Sequence, residues 1–292
     1  MTVERAHTFG DDSGLFGVVT MPETPKPDAP AVVLLNAGLV HRVGPFRMHV
    51  ELARRLAKSG FTVLRLDQSA LGDALPRRGG LSYEERSVID ARQAMDFLEQ
   101  RYENKRFVIA GLCAGAMNAH RVAVADERVV AGCLLDGYAY RTQAFWRHSL
   151  ITAAAEPKMW PSAIRRAKQM LSGQGWDRTE NAPDSVRAAN AASADGPGDD
   201  AAAIFAQDWP SREDVRVELD RTLARGVKLL FVYTGGWSDY VHPSQFDEMF
   251  PNLARRDQVT VRFFPDADHT YLLHAHRASM FSEVESFLTR LA

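Results

Sequence analysis

The chain has 292 residues, 46% of them hydrophobic and 25% charged, a balance that fits an ordinary globular protein and excludes a disordered or collagen-like one. A formal net charge of −2 provides no overall basic field, so composition does not point to nucleic acid or an anionic membrane surface as a partner. No apolar run approaches the length of a membrane span, and the N-terminal residues 1–7 lack the apolar core of a signal peptide, so a cytoplasmic protein is the expectation.

Residues 4–9 and 15–21 read as an antiparallel pair around Asp11-Asp12-Ser13-Gly14, a turn signal, and the proline-rich stretch 22–30 reads as a surface connection. A strand–helix rhythm then begins. Residues 31–35 form an apolar strand. Residues 46–59 form a helix with Val50, Leu52, Ala53, Leu56 and Ala57 inward, closed by Gly60. Further strands are expected at 61–66, 107–110, 129–135, 227–233 and 259–264, and helices at 83–102, 114–125 and 278–291. Strands alternating with helices imply a mostly parallel sheet with helices on both faces, and near-continuous apolar strands fit a sheet buried on both sides. The interval 138–220 breaks the rhythm with Trp146, Trp160, Trp176 and Trp209, helix-like pieces such as 161–171, and a small-residue tract at 190–200. It reads as a mostly helical cap inserted between core parts 1–137 and 221–292.

The strand at 107–110 runs into Gly111-Leu112-Cys113-Ala114-Gly115 and then into a helix. That is the form of a nucleophile elbow, with cysteine where serine is usual. Glycine at 111 and 115 removes side chains that would collide with neighbouring backbone at a tight strand-to-helix turn. Alone the pattern is weak, because a cysteine in such a place is often a small buried hydrophobe. The segments after the later strands strengthen it, since open parallel sheets bind ligands at their carboxyl ends. Residues 234–241 offer Asp239 and residues 265–271 offer His269, in the order nucleophile, acid, histidine. Cys113 would attack, His269 would move its proton, and Asp239 would fix the imidazole tautomer. Asp136, one strand earlier, is the rival acid. The helix starting at Ala114 places a positive dipole end beside the sulfur. Oxyanion donors would be the backbone N–H groups of Ala114 and of Leu39, the latter in a loop that Gly38 lets approach closely.

Other residues have a plainer account beside the functional one. His41 lies near the oxyanion loop, as a substrate contact or a polar loop residue. Phe145 and the cap tryptophans, Trp146 among them, could line an acyl pocket or fill the cap core. Asp67 organises its loop, Asp266 and Asp268 shape the turn before His269, and His274 and His276 fall in or near the following helix. Cys133 reads as core. Arg165, Arg166 and Lys168 form a solvated helix face or a docking face for an acidic carrier protein. The two cysteines without a C-x-x-C or clustered histidines do not suggest zinc, and no metal or redox cofactor is expected.

These motifs together resemble the α/β-hydrolase superfamily over nearly the whole chain, with the cap as the variable insert. The stretches 36–45 and 66–73 resemble serine-aminopeptidase-like hydrolases, and those associated with exosortase systems in particular. Two departures matter. The usual histidine–glycine of the oxyanion loop is Ala37-Gly38 here, and the elbow serine is Cys113, as in dienelactone-hydrolase-like enzymes, so serine-hydrolase activity does not carry over as such. A thioester acyl-enzyme exchanges readily with amines and thiols. The expected function is therefore a cysteine acyl hydrolase or acyltransferase acting on an ester or thioester, on a small molecule or a carrier such as coenzyme A or an acyl carrier protein. The competing expectation is a non-catalytic binder on the same fold. The sequence names neither the acceptor nor an oligomeric state.

Overall fold

A computed structural model of the chain describes residues 2–77, 79–155, 209–237 and 239–292, together with Ile164 and Lys168. Eight strands form one sheet: β1 (Val3–Phe9), β2 (Leu15–Met21), β3 (Ala31–Leu34), β4 (Val63–Asp67), β5 (Phe107–Leu112), β6 (Val129–Leu135), β7 (Lys228–Thr234) and β8 (Val259–Phe264). Their order across the sheet is β1-β2-β4-β3-β5-β6-β7-β8. The pairs β1–β2 and β2–β4 are antiparallel and all others are parallel. This is the α/β-hydrolase fold, with the antiparallel hairpin expected at the N-terminus.

Alternate strand residues face opposite layers. Val108, Ala110 and Leu112 pack with helices α1 (Met48–Lys58) and α7 (His274–Thr289) through Leu52, Leu56, Met280 and Val284. Phe107 and Ile109 pack on the other face with α2 (Tyr83–Tyr102) and α3 (Ala114–Ala125) through Met95, Leu98, Ala119 and Val122. The helix starts follow from capping. Ser82 and Glu85 form a reciprocal capping box on α2, and Ser211 caps α5 (Arg212–Ala224).

The expected interval 138–220 differs in detail. Helix α4 (Gln143–Ala155) rests against the single-turn α6 (Gln245–Met249), with Ala144 N–H donating to Glu248 at 2.9 Å. Helix α5 buries Val215, Leu219 and Leu223 against Leu229 and Phe231 of β7, so it belongs to the core layer, and the boundary expected at 220 falls inside it. The final helix begins at His274, four residues before its expected start, which places His274 and His276 in its first turn. Trp160, Trp176, Arg165, Arg166, the piece 161–171 apart from Ile164 and Lys168, and the tract 190–200 lie outside the described residues. No described helix is long and apolar enough to cross a membrane.

Candidate active site

Two sheet ladders set Cys113 and Asp136 side by side at the carboxyl ends of the strands. Register pairs Leu112 with Leu135, and the ladder runs one step further, with Cys113 N–H donating to Leu135 O at 2.9 Å. Register likewise pairs Leu135 with Val232, and Asp136 N–H donates to Val232 O at 2.8 Å. Cys113 and Asp136 are thus neighbours at the carboxyl ends of β5 and β6. Cys113 caps α3 at φ 58°, ψ −120°, a backbone conformation that L-residues adopt only under constraint. The glycines do what the turn requires. A Cβ at 111 would overlap the backbone of Gly115, and one at 115 would overlap the carbonyl of Asn36.

His269 lies five residues beyond β8. Its Nδ1–H donates to Asp136 Oδ2 at 2.9 Å, and Cys113 is close enough to act on the same ring. Burial pulls the imidazole pKa down. The hydrogen bond to Asp136 and the charge of that carboxylate, with a contribution from the nearby Cys113, outweigh it and raise the pKa to about 10. Asp136 is fully buried and otherwise satisfied: Thr234 N–H donates to Oδ1 at 2.7 Å and the Thr234 hydroxyl to Oδ2 at 2.6 Å.

The carboxylate on the histidine is therefore that of Asp136, and Asp239 does not take the orienting position expected for it. Asp239 is 3% exposed and accepts from Arg141 Nε at 2.6 Å. Gln245 donates to the carbonyls of both Tyr140 and Asp239, so Asp239 ties the loop after β6 to the loop after β7. The physical reason is the course of the chain after β7. Gly235 N–H and Gly236 N–H donate to Phe264 O and Ala267 O at 2.9 and 3.0 Å, which binds the turn to the His269 loop before Asp239 is reached. Trp237 then lies flat against the imidazole, with ring centroids 4.7 Å apart and an interplanar angle of 21°.

The loop after β3 is fixed by its own polar set. Asn36 accepts from Gln68 N–H at 2.9 Å and donates to Val40 O at 3.0 Å, and Asp67 accepts from Arg42 N–H at 2.6 Å and from the Arg42 guanidinium. Asp67 thus organises the loop, as expected. Gly38 has a positive φ of 56° with open space around it, Leu39 is exposed, and His41 is exposed and accepts from Val43 N–H. The first turn of α3, beginning at Ala114, leaves N–H groups without helical partners beside Cys113. Asp268 accepts from Thr270 N–H and hydroxyl and from Leu272 N–H, and so shapes the turn around His269. Trp146 is 1% exposed, edge-on to Phe145 at 5.2 Å, and both rings lie beneath the Arg141 guanidinium. Cys133 is core, and burial pushes its thiol up to about 12. Sequence spacing gives no signal for Thr234, Trp237 or Arg141 beyond their places near the carboxyl ends of β6 and β7. No group of three His, Cys, Asp or Glu among the described residues could hold a metal ion.

A family model described as serine aminopeptidase, S33, matches residues 27–192, more than half of the chain. The chain belongs to this family. Within the S33 match lie the loop after β3, the turn at Cys113 and Asp136, while His269 lies beyond it. No curated protein matches the chain in sequence. Among solved structures, a proline iminopeptidase of Mycobacterium smegmatis superposes with TM-score 0.59 at 18% identity, covering 99% of this chain and 98% of that one. An esterase of Pyrococcus furiosus superposes with TM-score 0.59 at 16% identity, covering 99% and 91%. A lidless serine hydrolase of Xanthomonas campestris superposes with TM-score 0.53 at 14% identity, covering 99% and 94%. These likenesses carry the hydrolase fold.

Proposed function

We propose that the protein is a cysteine acyl hydrolase or acyltransferase acting on an ester or thioester through Cys113, His269 and Asp136. The observation that carries this is a single imidazole bonded through Nδ1 to a buried carboxylate, with Cys113, on a strained turn at the end of the neighbouring strand, close enough to act on the same ring. In the reaction His269 takes the Cys113 proton and the thiolate attacks the acyl carbonyl carbon. The tetrahedral oxyanion accepts from Ala114 N–H and Leu39 N–H. Collapse breaks the bond to the leaving alkoxide or thiolate, which takes the proton from the imidazolium. The thioester acyl-enzyme then passes its acyl group to water, an amine or a thiol, with His269 deprotonating the acceptor. Asp136 holds the tautomer and the imidazolium charge, the role that the sequence suggested for Asp239. Gly38, His41 and Trp146 remain candidates for substrate contact. The acyl donor is a small molecule or is bound to a carrier such as coenzyme A or an acyl carrier protein.

Intact-mass spectrometry after exposure to a panel of acyl thioesters and activated esters tests this. The expected result is one acyl adduct on the wild type and none on Cys113→Ala, with decay faster when an amine is added if the enzyme transfers. Cys133, buried with a raised pKa, does not compete for the label. Absence of adduct and turnover with every donor would favour a binding protein.

A further inference from the structure

The loop after β7 supplies an indole where the sequence suggested a carboxylate. Trp237 is 3% exposed and stacks on the face of His269. Its place is built for contact. A Cβ at 236 would overlap His269 N and one at 235 would overlap Pro265 O, so only glycines let the two turns come this close. The backbone N–H of Trp237 donates to Thr234 O at 3.1 Å, which closes the turn that aims the ring.

The ring of His269 is thus engaged on an edge and a face. Asp136 holds the Nδ1 edge, Trp237 covers one face, and Cys113 is close enough to act on the ring. The remaining ionisable groups nearby are Asp268, spent on Thr270 and Leu272 in its own turn, buried Tyr271, and the Asp239–Arg141 pair beyond Trp237. Trp237 brings no charge. The face of an indole carries negative potential and attracts a cation more than a neutral ring, most strongly away from water.

Building on the Cys113–His269–Asp136 assignment, we propose that Trp237 is a positioning residue that selectively stabilises the imidazolium form of His269 and fixes its plane toward both partners. It does not touch the acyl group. Its effect is on the ratio between the charged pair, thiolate with imidazolium, and the neutral pair, thiol with imidazole.

The test is titration of the His269 ring by NMR, assigned against His269→Ala, in protein carrying a graded series of fluorinated tryptophans. Fluorine weakens the π face while nearly preserving ring shape, so a purely structural role would leave the titration unmoved. The expected result is a midpoint falling stepwise with fluorine number, with Trp237→Leu lowering it by about one pH unit and Trp237→Phe by less. The alkaline limb of the pH–rate profile should move with it. A midpoint that does not respond to fluorination would overturn the proposal. Repeating the titration in Cys113→Ala separates the two claims. The dependence on Trp237 should persist there, whereas a Cys113 thiolate absorbance unchanged by His269→Ala would overturn the cysteine–histidine pairing instead.

Discussion

Asp136 leaves β6 at a positive φ of 45°, one residue past the last ladder pair, and Thr234 holds both of its oxygens. That turn and those two donors aim the remaining lone pair at His269. Asp239 is equally buried, but its partner is a permanent cation. The two aspartates should therefore separate on substitution. Asp136→Asn removes the charge that stabilises the imidazolium and should lower kcat by about 10²–10⁴-fold. Asp239→Asn should keep activity within about tenfold while costing about 1–2 kcal/mol, since it weakens a partly buried ion pair that joins two loops. Steady-state kinetics and urea unfolding on both variants check this, and the reverse ranking would restore Asp239 to the site. From sequence alone both carboxylates follow apolar strands at the same sheet edge. Only the backbone angle at 136 and the binding of residues 235–236 to the next turn decide between them, and neither leaves a mark in residue type.

At the scale of elements the strand-to-helix turn at Cys113 and the layers were the most legible parts. Helices α2 and α3 and strands β2, β6 and β8 have the bounds that their patterns predict, because apolar periodicity, a capping box and flanking glycine or proline agree there. Helix α6 is one turn long and has no period to read, and α5 is mostly polar, with only Val215, Leu219, Thr222 and Leu223 buried. The pair Gly235-Gly236 is legible as a turn but not as a docking point for another turn. Its role predicts that Gly236→Ala pushes the His269 backbone, costs about 1–3 kcal/mol as overpacking does, and lowers kcat. Gly80→Ala, with open space around it and no positive φ, should stay within about 0.5 kcal/mol. Thermal unfolding and activity of the two variants make the comparison, and equal effects would count against the docking role.

Across the whole molecule, histidines set two opposing pH limits. Burial, with Arg65 nearby, pushes His49 down to about 4, and burial, with Arg121 nearby, pushes His120 down to about 3. Both stay neutral when folded while the unfolded chain takes up protons near pH 6.5. Their contribution is present above pH 6.5 and is lost as pH falls toward 4 and then 3, on the order of 3 kcal/mol for His49. His269 has the opposite sign. Its pKa is raised, so its contribution is complete below pH 6.5 and is lost as pH rises through about 10. Of these three groups the sum is greatest near pH 6.5. Urea midpoints from pH 4 to 10 should fall on both sides, with His49→Leu flattening the acid side and His269→Ala the alkaline side. An unchanged acid slope in His49→Leu would refute the assignment.

The ladder bonds at Cys113 and Asp136 have a consequence for lifetime. Both amides are rungs between buried strands, so neither residue can leave its place without opening the sheet, an event that costs close to the free energy of global unfolding. His269 has no such anchor and rides on a turn held by the Asp268 carboxylate and by contacts with residues 235–237. Cys113 and Asp136 therefore persist as one slow cooperative unit. The histidine belongs to a faster one, and the assembled site lasts only as long as the turn at 265–273 stays closed.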